Sequence, residues 1–365
     1  MISSLTGGEK SCRQAIDTCT MNALSKAFHE PRGMLFHGVA LLYGVGGYVL
    51  GLYGLFSSNG WINVGATLLL GHAMTICAYM IHECGHNTVL RSNDANAYLG
   101  RFLNWICGTS YGTFEDIRYK HFRHHLDNDD AVWFMCDEYL DRHPRLVEWI
   151  RFFEWFYIPA HDMVMHFITV FTAFIIPQRR DQMLRNVVVI LIRGTVFFTV
   201  LYYYPKAALL YLVAYMIMMH ILRFKDGVQH DYGGNPTLFE EEPPSRYGGR
   251  ATEQAHTFSN PECLKYDWPN YFTLCFGFHG AHHKRPTVPW YKLPAYYREQ
   301  FGNDPEQVIP FRVQLKMYHK YRVQRVTHSG GDLDDLPTPW EEEYLERARS
   351  GRIYGGNAVS FLNSF

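Results

Sequence analysis

The sequence predicts an all-α integral membrane protein with four transmembrane helices arranged as two hairpins. Four apolar segments are long enough to cross a bilayer, they come in two pairs joined by short turns, and the basic residues gather on one side of those pairs. The composition agrees. Of 365 residues, 47% are hydrophobic and 16% aromatic against 19% charged, which suits a chain with a bilayer-embedded part.

Residues 1–33 carry scattered charges and no basic-plus-apolar leader pattern, so they are expected to be a cytoplasmic N-terminal segment. Met34 to Phe56 is 23 residues without a charge, and a span of the hydrocarbon core needs about 20. The turn Ser57-Ser58-Asn59-Gly60 leads into Trp61 to Ile81. A second pair follows, Asn186 to Tyr204, interrupted only by Arg193, and Ala207 to Phe224, with Pro205-Lys206 at the turn. The expected spans are therefore about 34–56, 61–81, 186–204 and 207–224.

Orientation follows from charge. The two turns hold a single basic residue, Lys206, so the positive-inside rule puts both termini and the segments 83–185 and 225–365 in the cytoplasm, the latter two forming a helical cap. Met163 to Ile176 has 14 residues, too few to span. With the preceding Trp149 to Tyr157 stretch it reads as a helix lying in the interface or packed under the cap, with an ordinary buried core helix as the alternative. Residues 34–295 read as one membrane domain and 296–365 as a C-terminal cytoplasmic tail. In that tail a basic run (Arg312, Lys316, Lys320, Arg322, Arg325) precedes an acidic one from Asp332 to Glu346, read as a solvated tail, with a docking site for an anionic partner as the alternative.

Some function classes are excluded. A formal charge of -1, with no Gly-rich phosphate loop and no basic repeat, argues against nucleic-acid binding. Eight cysteines form no CxxC pair and no framework spacing, as expected for reduced thiols on the cytosolic side rather than a secreted disulfide scaffold.

The 19 histidines are the unusual feature, because imidazoles rarely accumulate beside apolar segments without a metal or a proton to handle. His82-Glu83-Cys84-Gly85-His86 ends the second span, and its four-residue spacing stacks both rings on one helix face. His121-Phe122-Arg123-His124-His125 again gathers rings on one face. His279-Gly280-Ala281-His282-His283 repeats the H-x-x-H-H spacing 158 residues later. Eight such ligands are too many for one ion and suit two, so the cap is expected to hold a di-metal site. Glu83, Asp127, Asp129 and Asp130 are candidates to orient the rings through hydrogen bonds. His220, His72 and His37 lie within spans and read as packing or hydrogen-bonded residues.

The three boxes, with a hairpin before the first and another between the second and third, resemble the integral-membrane fatty acid desaturases and their hydroxylase and decarboxylase relatives. The resemblance covers about residues 34–295 and includes Pro286, Pro289-Trp290-Tyr291 and Leu293-Pro294 after the third box. It implies a non-haem centre of two iron ions that uses O2 to attack an unactivated C–H bond of a long-chain fatty acid or acyl substrate in membrane lipid. The implied ligands are His82, His86, His121, His124, His125, His279, His282 and His283. A ninth is implied just upstream of the third box, where His256 is similar to the family element although Thr252 replaces its Asn; His230 competes for that role. No HPGG haem-binding signature is present, so electrons are expected from a separate ferredoxin, rubredoxin or cytochrome. Desaturation is the expected reaction, with oxidative decarboxylation to a terminal alkene, or hydroxylation, as alternatives. Arg118, Lys120 and Arg123 are candidates to anchor a carboxylate, or plain interfacial charges. A different class is also open: HECGH is a literal HExxH, the zinc-protease motif in which Glu83 would activate water.

Overall fold

A computed structural model describes residues 25–127, 132–134, 136–231, 249–302, 307–326 and 340–355. In chain order the helices are α1 (Gly33–Leu55), α2 (Gly60–Gly85), α3 (Asn93–Ile106), α4 (Phe114–Asp127), α5 (Cys136–Asp141), α6 (Pro144–Trp155), α7 (Ala160–Ile175), α8 (Met183–Tyr203), α9 (Pro205–Asp226), α10 (Gly249–Ala255), α11 (His279–Lys284), α12 (Leu293–Phe301), α13 (Phe311–Lys320) and α14 (Trp340–Arg349). Among the described residues extended pairing is limited to isolated bridges, so the fold is all-α.

Four helices are long and apolar enough to cross a membrane: Gly33–Leu55, Gly60–Gly85, Pro177–Tyr203 and Pro205–Asp226. The chain is a multi-pass membrane protein. Each helix contains most of one apolar segment read from the sequence, but the third begins at Pro177, nine residues before Asn186, and the second runs on past Ile81. Nothing breaks the helix at Ile81, so α2 continues to Gly85 and carries His82 on the end of a continuous rod.

α2 is the buried centre, with α1 along one side and α9 along another. Lipid tails are as apolar as leucine, so tight helix association in a bilayer depends on small residues that let backbones approach. Ala40, Gly44, Gly47, Gly51 and Gly54 form the buried stripe of α1, and a Cβ on Gly51 would lie 2.8 Å from Leu70 Cβ. On the opposite side a Cβ on Gly71 would lie 2.7 Å from the Ala214 carbonyl oxygen of α9. Leu35, Val39, Leu42, Leu50 and Tyr53 of α1 remain exposed, as do Leu191, Val196 and Phe198 of α8.

The two short turns meet at one end of the bundle. Asn63 Nδ2 donates to the carbonyls of Gly54 (2.9 Å) and Leu55 (3.1 Å), and Lys206 Nζ donates to Ser57 O (2.6 Å) and Asn63 Oδ1 (2.9 Å). The histidine boxes therefore gather at the opposite end.

α6 buries Val147, Ile150 and Glu154 and exposes Trp149, Phe152, Phe153 and Trp155, an amphipathic pattern suited to a membrane interface. It is tied to α7 and α9 by a buried ion cluster. Arg223 donates to Glu154 at 2.8 and 2.9 Å and also to Asp162.

The segment beyond Pro310 differs from the expected solvated tail. Met317, Tyr344, Ala348 and Ile353 pack against Val228, Phe258 and Ile309, and Arg325 is buried with its guanidinium 4.2 Å from the Tyr318 ring centroid. The basic run is thus one face of α13 and the turn that follows it, whose other face supplies a small core. Residues 332–339 of the acidic run lie outside the described residues.

Candidate metal centre

The end of α2 positions His82 and His86. A short loop and α3 return the chain to α4, which presents His121, His124 and His125 on successive turns. α11 is only six residues long and is almost entirely the third box, His279 to Lys284. Three segments distant in sequence thereby converge.

The rings sort into two groups. His82, His86, His121 and His282 place ligand nitrogens within 4.8 Å of one another, and so do His124, His230, His279 and His283. In the first group the Nε2 atoms of His82 and His282 are 3.1 Å apart and those of His86 and His121 2.7 Å apart. His125 Nε2 joins it, 3.1 Å from both His121 and His282. In the second group Nε2 of His124 lies 3.2 Å from His283 and Nε2 of His230 lies 2.6 Å from His279.

Hydrogen bonding alone does not account for this arrangement. A neutral imidazole nitrogen carries one proton or one lone pair, yet the Nε2 atoms of His121, His125 and His282 each face two others. A cation at the centre of each group satisfies every lone pair at once. At a metal–nitrogen distance of about 2.1 Å, two ligands at right angles lie about 3.0 Å apart and two at a tetrahedral angle about 3.4 Å apart; the pairs at 3.1 and 3.2 Å fall in that range, and the pairs at 2.7 and 2.6 Å are closer than a shared ion would hold them. Burial holds His86, His121, His125, His279, His282 and His283 well below the usual histidine range, and neighbouring imidazoles push the same way. Each therefore offers the neutral ring that a metal binds.

His256 lies outside both groups. His230 pairs with Thr257 in an isolated antiparallel bridge, and the Asp231 amide donates to the His256 carbonyl at 3.1 Å. Side chains alternate along extended backbone, so the pairing that aims His230 at the centre turns His256 away from it.

Of the four carboxylates read as candidates to orient the rings, Glu83 is the one whose side chain is described. Glu83 is buried beside the first group. Its Oε2 accepts from Thr88 Oγ1 at 2.6 Å and from the Trp290 amide at 3.2 Å, and its Oε1 stands 3.7 Å from His82 Nδ1. That leaves it oriented behind a ligand rather than poised over a metal-bound water, against the zinc-protease alternative. Asp127 ends α4, with its side chain outside the described residues, as are Asp129 and Asp130. The carboxylate that sequence reasoning missed is Glu253 of α10, whose Oε1 accepts from His283 Nδ1 at 2.7 Å and lies 3.9 Å from His125 Nδ1. No local pattern marks it, since only the fold brings α10 against the boxes.

Of the basic residues on α4, Lys120 is buried, Arg118 lies over the Phe122 ring at 5.1 Å and Arg123 donates to Tyr119 Oη at 3.1 Å. Among the span histidines, His72 and His220 are hydrogen-bonded, and His37 packs among Phe28, Trp290 and Tyr291.

Four membrane-length helices with two groups of imidazoles gathered at one end of the bundle define a membrane metalloenzyme of the histidine-box type. The family model described as fatty acid desaturase matches residues 59–314, well over half of the chain, and the chain belongs to that family. It is an O2-dependent oxidoreductase of the di-iron type acting on a fatty-acyl chain. No curated protein matches the chain.

Proposed function

We propose that the protein desaturates a long-chain fatty acyl group at a centre of two iron ions held by nine histidines. His82, His86, His121, His125 and His282 would hold one ion, and His124, His230, His279 and His283 the other. The observation that carries this reading is the pair of Nε2 clusters, five rings and four, at the end of an apolar bundle. When bound, the irons supply the activation of O2 that unactivated C–H bonds require.

The protein's own residues position and insulate. Glu253 keeps His283 in the tautomer that presents Nε2, and Glu83, held by Thr88 and the Trp290 amide, steadies the loop behind His82. Phe276 packs edge-on to His82 at 5.2 Å and tilted to His279 at 5.3 Å, keeping bulk water from one side of the site. The acyl chain would lie in an apolar passage between the spanning helices and a cytoplasmic cap, with its depth deciding which carbon meets the oxidant. Two electrons per O2 would come from a separate carrier of ferredoxin, rubredoxin or cytochrome type.

Product analysis tests the reaction. Purified iron-loaded enzyme is given O2, a reducing system and long-chain acyl thioester or free acid. A product of unchanged chain length with one new double bond is the expected result. A terminal alkene one carbon shorter would replace desaturation by decarboxylation, and a hydroxylated chain by hydroxylation. One zinc per chain with negligible iron and no O2-dependent product would overturn the reading. Orientation is tested at Cys263, which an impermeant thiol reagent should leave unlabelled in intact cells.

A further inference from the structure

Residues 264–273 form a loop that the metal chemistry does not use. His72 stands in the middle of α2, ten residues before His82, or about 15 Å along the helix at 1.5 Å per residue. Its Nε2–H donates to the Phe272 carbonyl at 2.9 Å, while Tyr43 Oη donates to its Nδ1 at 2.6 Å. The helical turn Trp268–Thr273 thus rests against the middle of a helix that crosses the bilayer.

Irregular backbone at such depth needs partners within the protein, because hydrocarbon offers none. This loop has them. Asn270 Nδ2 donates to the carbonyls of Cys263 (2.8 Å) and Tyr266 (3.0 Å), and its Oδ1 accepts from the Cys263 amide at 3.3 Å. Thr273 Oγ1 donates to Glu262 Oε1 at 2.8 Å. The outer side of the same loop leaves Tyr266, Trp268, Tyr271 and Phe272 exposed, a density of aromatic surface that suits the boundary between headgroups and acyl chains.

Beside these rings lies an open pocket of about 540 Å³ lined by Leu264, Lys265, Tyr266, Asp267 and Arg298. Arg298 forms a two-point pair with Asp267 at 2.6 and 3.1 Å. Lys265 is exposed, lies 5.0 Å from the Tyr266 ring centroid, and has no carboxylate partner among the described residues. With Arg298 paired to Asp267, the rim presents Lys265 as its uncompensated cation next to an aromatic surface, a combination complementary to one class of ligand, an amphiphile with an anionic head.

We infer that residues 264–273 are a re-entrant loop seated in the leaflet on the histidine side, and that the pocket at Lys265 and Arg298 holds the headgroup of an anionic phospholipid. The acyl chains of that lipid lie against Trp268 and Phe272. The loop runs on to His279 within six residues, so a bound lipid steadies the segment that delivers the third box.

Two measurements on the full chain in nanodiscs test this. Brominated lipids should quench the fluorescence that disappears in Trp268→Phe; an unquenched Trp268 component would show the loop in water and overturn the insertion. Nanodiscs made from an equimolar mixture of phosphatidylcholine and phosphatidylglycerol should yield protein enriched in phosphatidylglycerol on re-extraction. Lys265→Glu should cut that enrichment about fivefold or more, the effect of a cation near an anionic surface, and Lys265→Arg should keep it. Equal enrichment in wild type and Lys265→Glu, or no headgroup preference at all, would overturn the site. Metal content reports the fold of each variant. Should charge reversal lower it, the comparison of Lys265→Arg with Lys265→Gln decides, again by whether the enrichment survives loss of the charge.

Discussion

Replacing Glu253 with alanine should loosen one metal ion of the two. Nine neutral imidazoles bring no negative charge to a dication pair, and Glu253 stands where its charge helps, 2.7 Å from His283 Nδ1 and 3.9 Å from His125 Nδ1. Loss of such a supporting carboxylate typically costs about 10- to 100-fold in metal affinity or activity, which is about 1.4–2.8 kcal/mol. The geometry makes the effect unequal. His283 belongs to the group with His124, His230 and His279, so that ion should leave first. Elemental analysis during dialysis against an iron chelator should show Glu253→Ala falling from two metals per chain to one under conditions where wild type keeps both. Glu253→Gln retains an acceptor oxygen without the charge and should fall between them. If Glu253→Ala kept both ions and its turnover rate to within about twofold, the role assigned to this hydrogen bond would be refuted.

Three further outcomes follow from particular contacts. His230→Ala should lose metal and activity by orders of magnitude, whereas His256→Ala should keep two metals, and elemental analysis of the two variants in parallel would expose the opposite assignment. Glu154→Gln leaves Arg223 short of one of two buried carboxylates; breaking a buried pair costs about 3–5 kcal/mol, visible as a clear drop in the thermal unfolding midpoint without direct change to the ligands. Gly71→Ala would push a methyl to within 2.7 Å of the Ala214 carbonyl oxygen, and such overpacking costs about 1–3 kcal/mol; a variant as heat-resistant as wild type would show that α2 and α9 can separate freely.

What the sequence determined by itself was whatever depends on local spacing. Spans are legible because about 20 apolar residues in one helix suffice to cross a bilayer, and the eight box histidines are legible because ligands three and four apart share a helix face. The rest required the fold. His230 rather than His256 reaches the centre because the pairing of His230 with Thr257 sets which side chain faces inward, and a one-residue step reverses the face. Glu253 acquires its role only when α10 packs against the boxes, and the partners that hold Glu83, Thr88 and the Trp290 amide 207 residues away in the chain, meet it only in the fold. The basic run after Pro310 is buried on one side because Met317 and Tyr344 find a shared core with Phe258. In each case the deciding energy comes from contacts between segments far apart in the chain, and a pattern read over a few neighbouring residues carries no trace of them.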